Sequence, residues 1–342
     1  MTLFNDIDAR SRDVFRRLVE TYLETGDPVG SRTLSNDGLI DVSAATIRNI
    51  MADLTEMGLL HAPHISAGRL PTELGLRLFV DSLMQVGDLT GTERRAIEAQ
   101  SDDTQVNALL ENAAERLSGL TKSASLILTQ NVDAPLRQIE FVPTSPGKAL
   151  IVMVLEDGRV ENKIITVPAV LPPSALIAAG NYLNARAIGR TLADARNQID
   201  RELTENQAEL DEISARLVRD GIAEITASDD WTLIVRGRGH LIDETAASDI
   251  ERVRMLFDDL ERKRDVAELL NAAGNGHGVK IFIGSENRLF SLSGSSVIAA
   301  PYHDENRKVV GVLGVVGPTR LNYAKVIPMV DYTAEVLSRM LK

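Results

Sequence analysis

The chain has 342 residues, 44% hydrophobic and 25% charged, which is the composition of a soluble globular protein. At ~100–200 residues per domain it is long enough for two or three. It contains no cysteine, which excludes disulfides, thiolate catalysis and cysteine-ligated zinc and fits a reducing cytoplasm. Net charge is −12, and residues 1–77 hold eight Arg against eleven Asp or Glu, so affinity for nucleic acid must come from a local cluster rather than a basic domain. The first residues, "MTLFNDIDARSRDV", have acids where a signal peptide needs an apolar run. No apolar stretch approaches the ~18 residues of a membrane span.

In chain order, residues 6–25 place Val14, Phe15, Leu18, Val19, Tyr22 and Leu23 near the helical period, with Gly26 and Pro28 as stops. Ser31 is placed to cap a short second helix that ends at Gly38. Ser43 is placed to cap a third. There Ile47, Ile50, Met51, Leu54 and Met57 form one buried stripe, and Ala45, Arg48, Asn49 and Ala52 lie opposite. Pro63 and Pro71 forbid a helix beyond it, so 59–72 reads as a short β-hairpin with an exposed tip. A fourth helix follows from Thr72. Residues 87–105 are polar, mixed in charge and read as a connecting segment, partly helical. Residues 106–120 read as a helix.

From 123 the period changes. "SASLILTQN", "RQIEFVP", "KALIVMVLEDG" and "VENKIITVP" read as successive strands, followed by a helix over "PSALIAAGNYLNARAIG". Residues 190–228 are charged and helical, with Ile199, Leu203, Leu210, Ile213, Leu217 and Ile222 apolar. A strand is expected at "WTLIVRG" and a helix at about 248–271. Strands return at 278–317, and a helix closes the chain. Neighbouring strands usually share a sheet. The fold class is therefore α+β and multidomain. An α+β domain (106–185 and 249–342) is interrupted by a mainly helical insertion (186–248), behind an N-terminal unit (1–86) and a linker (87–105).

Three helices followed by a small hairpin make a winged helix-turn-helix. The third helix fits a major groove ~12 Å wide. Ala44 and Ala45 allow close approach. Arg48 matches the acceptors of guanine, and Asn49 the donor–acceptor edge of adenine. Ser31, Arg32, Thr33, Ser43 and Thr46 are placed to donate to phosphates, and the tip residues His64, Ser66 and Arg69 to meet the backbone or minor groove. The rival motifs fail on spacing. Gly147-Lys148 has Val142 where a P-loop needs Gly and Ala149 where it needs Ser or Thr. Two His in "HAPH" without carboxylates make a poor zinc set. His240 and His277 fall in Gly-rich turns, and His303 in a charge run. There is no catalytic set, metal set or cofactor motif.

"LVETYLETGDPVGSRTLS", "SAATIRNIMADLTEMGLLHAPHISAGRLPT" and "GVLGVVGPTRLNYAKVIPMVDY" resemble the HrcA family of bacterial heat-inducible transcription repressors, as does "FIGSEN" at 282–287. Ile50 departs from an expected acidic residue and Leu76 from an expected aromatic, neither in the base-facing set. The resemblance implies a winged-helix domain, a GAF-like domain and a dimerisation domain inserted into the GAF-like fold. It further implies a homodimer on the inverted-repeat CIRCE operator upstream of chaperone operons, with activity assisted by the GroE chaperonin and lost on heating. The expected dimer contact is the insertion's aliphatic stripe, Leu210 and Ile213 foremost. The alternative is a sensor in which the GAF-like domain binds a small molecule and gates DNA binding.

Overall fold

The computed structural model describes residues 7–38, 42–64, 67–99, 106–130, 135–156, 158, 160–169, 172–191, 194–195, 199, 217–218, 231–245, 250–274, 278–290, 293–305 and 307–341. Ser66, Leu203, Leu210, Ile213, Ile222 and His277 lie outside these described residues. The chain divides into two compact units, Met1–Gln130 with Trp231–Lys342, and Asn131–Asp230.

The first unit opens with α1 (Ala9–Thr25), α2 (Ser31–Asn36) and α3 (Ala44–Glu56). α1 starts where the Asp8 carboxylate accepts the Ser11 N–H at 2.7 Å. Its stripe of Val14, Phe15, Leu18 and Val19 shares a core with Ile47, Ile50, Met51 and Leu54 of α3. Each such side chain contributes ~1.5–3 kcal/mol on burial. Two short strands, β1 (Leu60–His61) and β2 (Leu70–Pro71), pair antiparallel as the expected hairpin. Thr72 then caps α4 (Glu73–Leu78), its hydroxyl accepting the Gly75 N–H at 3.0 Å, and a π-helical turn covers Phe79–Leu83.

The chain continues through α5 (Gly91–Glu98), α6 (Val106–Thr121) and β3 (Ala124–Gln130). It leaves for the second unit with β4 (Leu136–Ser145), β5 (Lys148–Leu155), β6 (Val160–Thr166) and α7 (Pro173–Ala187). It returns with β7 (Trp231–Arg236), α8 (His240–Thr245), α9 (Ile250–Glu261) and α10 (Lys263–Gly274). Then come β8 (Lys280–Ile283), β9 (Ser295–His303), β10 (Val309–Pro318) and α11 (Tyr323–Met340).

Five strands make one antiparallel sheet in the order β7-β3-β10-β9-β8. Alternate residues feed two cores. On one face Ile127, Ile298, Leu313 and Val315 meet Leu117 of α6 and Val330 and Leu337 of α11. On the other, Leu128, Val297, Val312 and Val316 meet Leu260 of α9 and Val266 and Leu270 of α10. With helices on both faces, β9 and β10 are buried almost throughout, which is why their sequences are continuously apolar. The first of these cores runs on without a break into that of α1 and α3.

The second unit holds a three-stranded antiparallel sheet, β4-β5-β6. One face packs on α7, with Ile139, Ile151, Met153 and Ile165 against Leu176, Ala179 and Leu183. The Asn184 amide bonds both the N–H and the C=O of Ile139 at 2.8 Å, satisfying part of the β4 edge. Ile199 and Leu217 are buried in the same core.

These units correct the sequence reading. Strands 136–166, expected in the sheet of the 106–185 segment, have a sheet and core of their own. Trp231–Arg236, expected inside 186–248, pairs with β3 instead. The interrupting unit is therefore 131–230, and its described part contributes a sheet as well as a helix. The segment 87–105 is not a plain linker where it is described. α5 carries a capping box between Thr90 and Glu93 and is fastened to α11 by a Lys325–Glu93 ion pair at 3.0 Å and by Tyr332 on Glu98. The helix expected at 248–271 is two, interrupted at Arg262. Among the described residues, no helix is long and apolar enough to cross a membrane.

Candidate nucleic-acid interface

The geometry of the site follows from how α3 is capped and backed. Ser43 Oγ accepts the Thr46 N–H at 3.2 Å and lies 2.9 Å from Thr46 Oγ1. No acidic residue occupies the first turn, so the positive end of the helix dipole is not offset there. Ile47, Ile50, Met51 and Leu54 are buried and fix which face points inward. Arg48 and Asn49, between the first two, are consequently exposed, as is Ala45; Ala44 and Thr46 are half-buried. Further along, Asp53 and Glu56 are exposed on the helix, so only its N-terminal half suits a polyanion. Met57, expected to close the buried stripe, lies at the C-cap and is 37% exposed.

Pairing separates the arginines of this region. Arg16 faces Asp13 at 3.0 Å, Arg17 faces Asp37 at 3.2 Å and Glu20 at 3.4 Å, and Arg77 faces Glu286. Arg48 and Arg32 are exposed and have no ion pair among the described residues. A guanidinium already neutralised by a carboxylate gains little from a phosphate. Arg48 and Arg32 keep their donors available, as does Arg10 on α1, which is also exposed without an ion pair among the described residues.

The flanks differ in part from expectation. Arg32 and Thr33 are exposed on α2, but Ser31 is 9% exposed and is the first helical residue rather than the cap. Gly30 takes the cap position without a side-chain bond, so the Ser31 side chain is withdrawn from the surface. His64 is exposed at the hairpin tip, where its C=O accepts the Ala67 N–H at 3.0 Å. Ser66 lies outside the described residues. Arg69 is half-buried. Its main chain pairs with Val29 through two 2.9 Å bonds, and its Nε donates to Thr55 Oγ1 at 3.2 Å. In this structure Arg69 ties the hairpin to the last turns of α3, with donors to spare for a phosphate. Thr55 was not legible as a site residue. Its hydroxyl donates back to the Met51 C=O at 2.6 Å, a habit of helical threonines and the only local hint of its place.

His61 and His64 are both exposed, and no group of three or more His, Asp or Glu that could hold a metal ion exists among the described residues.

A family model described as the HrcA protein C terminal domain matches residues 107–327. Similarity over the full length is to proteins named heat-inducible transcription repressor HrcA. One from Rhodopseudomonas palustris (strain TIE-1) is 55% identical, covering 98% of this chain and 94% of its own. One from Nitrobacter winogradskyi (strain ATCC 25391 / DSM 10237 / CIP 104748 / NCIMB 11846 / Nb-255) is 56% identical over the same shares. A crystal structure of a protein described as hypothetical superposes with a TM-score of 0.63 at 23% identity over 98% of both chains, which shows a shared fold.

Proposed function

Because the chain belongs to the HrcA family of heat-inducible transcription repressors, we propose that it silences chaperone operons by binding the inverted-repeat CIRCE operator as a homodimer. Residues 1–86 act as a winged helix-turn-helix. The observation that carries this reading is the exposed Arg48, without an ion pair among the described residues, beside Asn49 on a helix whose other side is locked into a core. Arg48 reads guanine and Asn49 adenine in the major groove. Arg32, Thr33, Ser43 and Thr46 hold the flanking phosphates, Ala44 and Ala45 permit the approach, and His64, Ser66 and Arg69 bring the hairpin to the backbone.

An inverted repeat calls for a two-fold pair, one recognition helix per half-site. The second unit offers the surface for it. The side of β4-β5-β6 away from α7 carries Val142, Leu150 and Ile164 in one cross-strand row and Val154 and Val160 in another. Val142 is 41% exposed, Val160 59% and Ile164 61%. Between these rows Val152 is flanked by Glu140 and Asn162, so the face is apolar with polar residues among it, a mixed surface that a second copy would cover. The dimer contact proposed here is this sheet face; Leu210 and Ile213, the contact expected from the sequence, lie outside the described residues. Joining two half-site contacts raises affinity by ~10²–10⁴. A monomer with this face bare is also a natural client of the GroE chaperonin, which links repression to free chaperonin capacity. The five-stranded sheet with helices on both faces supports the GAF-like reading for the rest of the first unit.

In gel-shift titrations at fixed salt, a duplex with the inverted repeat should bind at least ~10³-fold more tightly than the same duplex with both half-sites scrambled. Equal affinity ends the reading. A cavity of about 180 Å³ lined by Tyr22, Arg252, Leu256, Ser293, Ser295 and Arg320 favours a second one, in which a small anion docks beside α1 and gates DNA binding. Its mark would be a rise in Tm and a change in operator affinity on adding sugar phosphates or nucleotides to the full chain. No response to either removes it.

A further inference from the structure

Where the three-helix region meets the five-stranded sheet, α4 is fastened by directed charge as well as by apolar contact. Arg77 forks onto Glu286, with Nε to Oε1 at 2.7 Å and Nη2 on Oε2. Nη2 also donates to the Ile281 C=O at 2.7 Å, and Nη1 to Asp81 of the same helical stretch at 3.2 Å. Glu286 in turn accepts the Ile283 N–H at 2.8 Å. One helical turn before Arg77, the Glu73 carboxylate accepts the Ser285 N–H at 3.0 Å and the Ser285 hydroxyl. Gly284 makes this possible. Its φ is +53°, and a Cβ there would lie 1.9 Å from Glu73 Oε1. At the far end of α1, Arg320 occupies the space that a side chain at Gly26 would take.

Such half-exposed pairs contribute little to stability. Their value is directional. Apolar contact tolerates sliding and rotation, whereas a bidentate guanidinium–carboxylate pair has one geometry. Burial pushes the Glu286 carboxyl up, but the Arg77 hydrogen bond, the Ile283 N–H and the Arg77 charge outweigh it and hold the group below its ordinary value, in the ionised form the fork needs.

We propose that Arg77 and Glu73 are positioning residues that set the direction in which α3 is presented, and with it the half-site spacing that the repressor accepts. This rests on the two-fold operator reading given above. The residues touch no DNA and act through the seat of α4 on residues 281–286.

The test uses the full chain and duplexes carrying two inverted copies of its selected half-site, separated by spacers graded in single base pairs, with a lone half-site as control. Wild type should prefer one spacing by ~10²-fold or more. Arg77→Lys, which keeps the charge and loses the fork, should hold lone half-site affinity within about two-fold while its spacing preference falls to roughly ten-fold or less. Gly284→Ala attacks the same seat from the other side and should behave alike, with thermal unfolding of both variants followed in parallel. Spacing preference as sharp as wild type in both folded variants overturns the proposal. So does a parallel loss on the lone half-site and on every spacing, which marks a merely structural role. If wild type itself binds the lone half-site as tightly as the paired one, the two-fold operator reading fails, and this proposal with it.

Discussion

Two exposed surfaces of this molecule are left incomplete in opposite ways. On α3, Arg48 and Asn49 present exposed hydrogen-bonding groups without partners among the described residues; on β4-β5-β6, Val142, Val160 and Ile164 present exposed hydrocarbon beside a half-buried Leu150. Water satisfies the first surface and is disfavoured at the second. The polar face can therefore wait for a ligand that offers the right acceptors, and affinity there is a matter of selection among sequences. The apolar face exerts a standing drive to be covered, so affinity there is a matter of assembly. The five-stranded sheet shows the closed case. Its helices cover both faces, and its strands ask for no partner.

That contrast predicts mutations that separate assembly, stability and reading. Ile164→Asp puts a charge into the open apolar row. It should leave the chain folded, convert it to monomer in sedimentation, and lower operator affinity by ~10²–10⁴. A dimer that persists would move the contact elsewhere. Leu128→Ala, in the closed sheet, should instead cost ~2–5 kcal/mol in denaturant unfolding and leave the sequence preference of the folded fraction intact. Arg48→Ala should leave both assembly and unfolding alone while costing ~1–3 kcal/mol of operator binding and relaxing the preference at one base pair. Unchanged discrimination between base substitutions would take Arg48 out of the groove. Ser43→Ala should show the smallest effect, ~1 kcal/mol of stability from the lost α3 cap, with base preference unaltered. A shifted preference there would mean that Ser43 reads a base edge rather than capping the helix and holding a phosphate.

The helix α3 was legible because its signals are local. A capping serine and apolar residues at Ile47, Ile50, Met51 and Leu54 define both its start and its inner face within a few turns. The same logic slipped by one residue at Ser31, where a cap and a first helical position differ only by a backbone conformation that Gly30 adopts without a side-chain bond. Sheet membership was not legible. Alternation says which side of a strand is buried, not which strands share a sheet, so β4-β6 and β3 read alike. The apolar outer face was hidden for a related reason. A strand such as "KALIVMVL" is apolar on both sides and reads as fully covered, yet Leu150, Val152 and Val154 are only half-buried. The Arg77–Glu286 fork had no local signal, since 209 residues separate its partners.

The central claim is that one helix face is presented twice about a two-fold axis. Its most direct measurement compares the full chain on two duplexes of identical composition and spacing, one with the half-sites inverted and one with the same half-sites in tandem. Inverted sites should bind ~10²-fold or more tightly than tandem ones, since only the former let both Arg48–Asn49 faces engage together. Equal binding to the two would contradict the account.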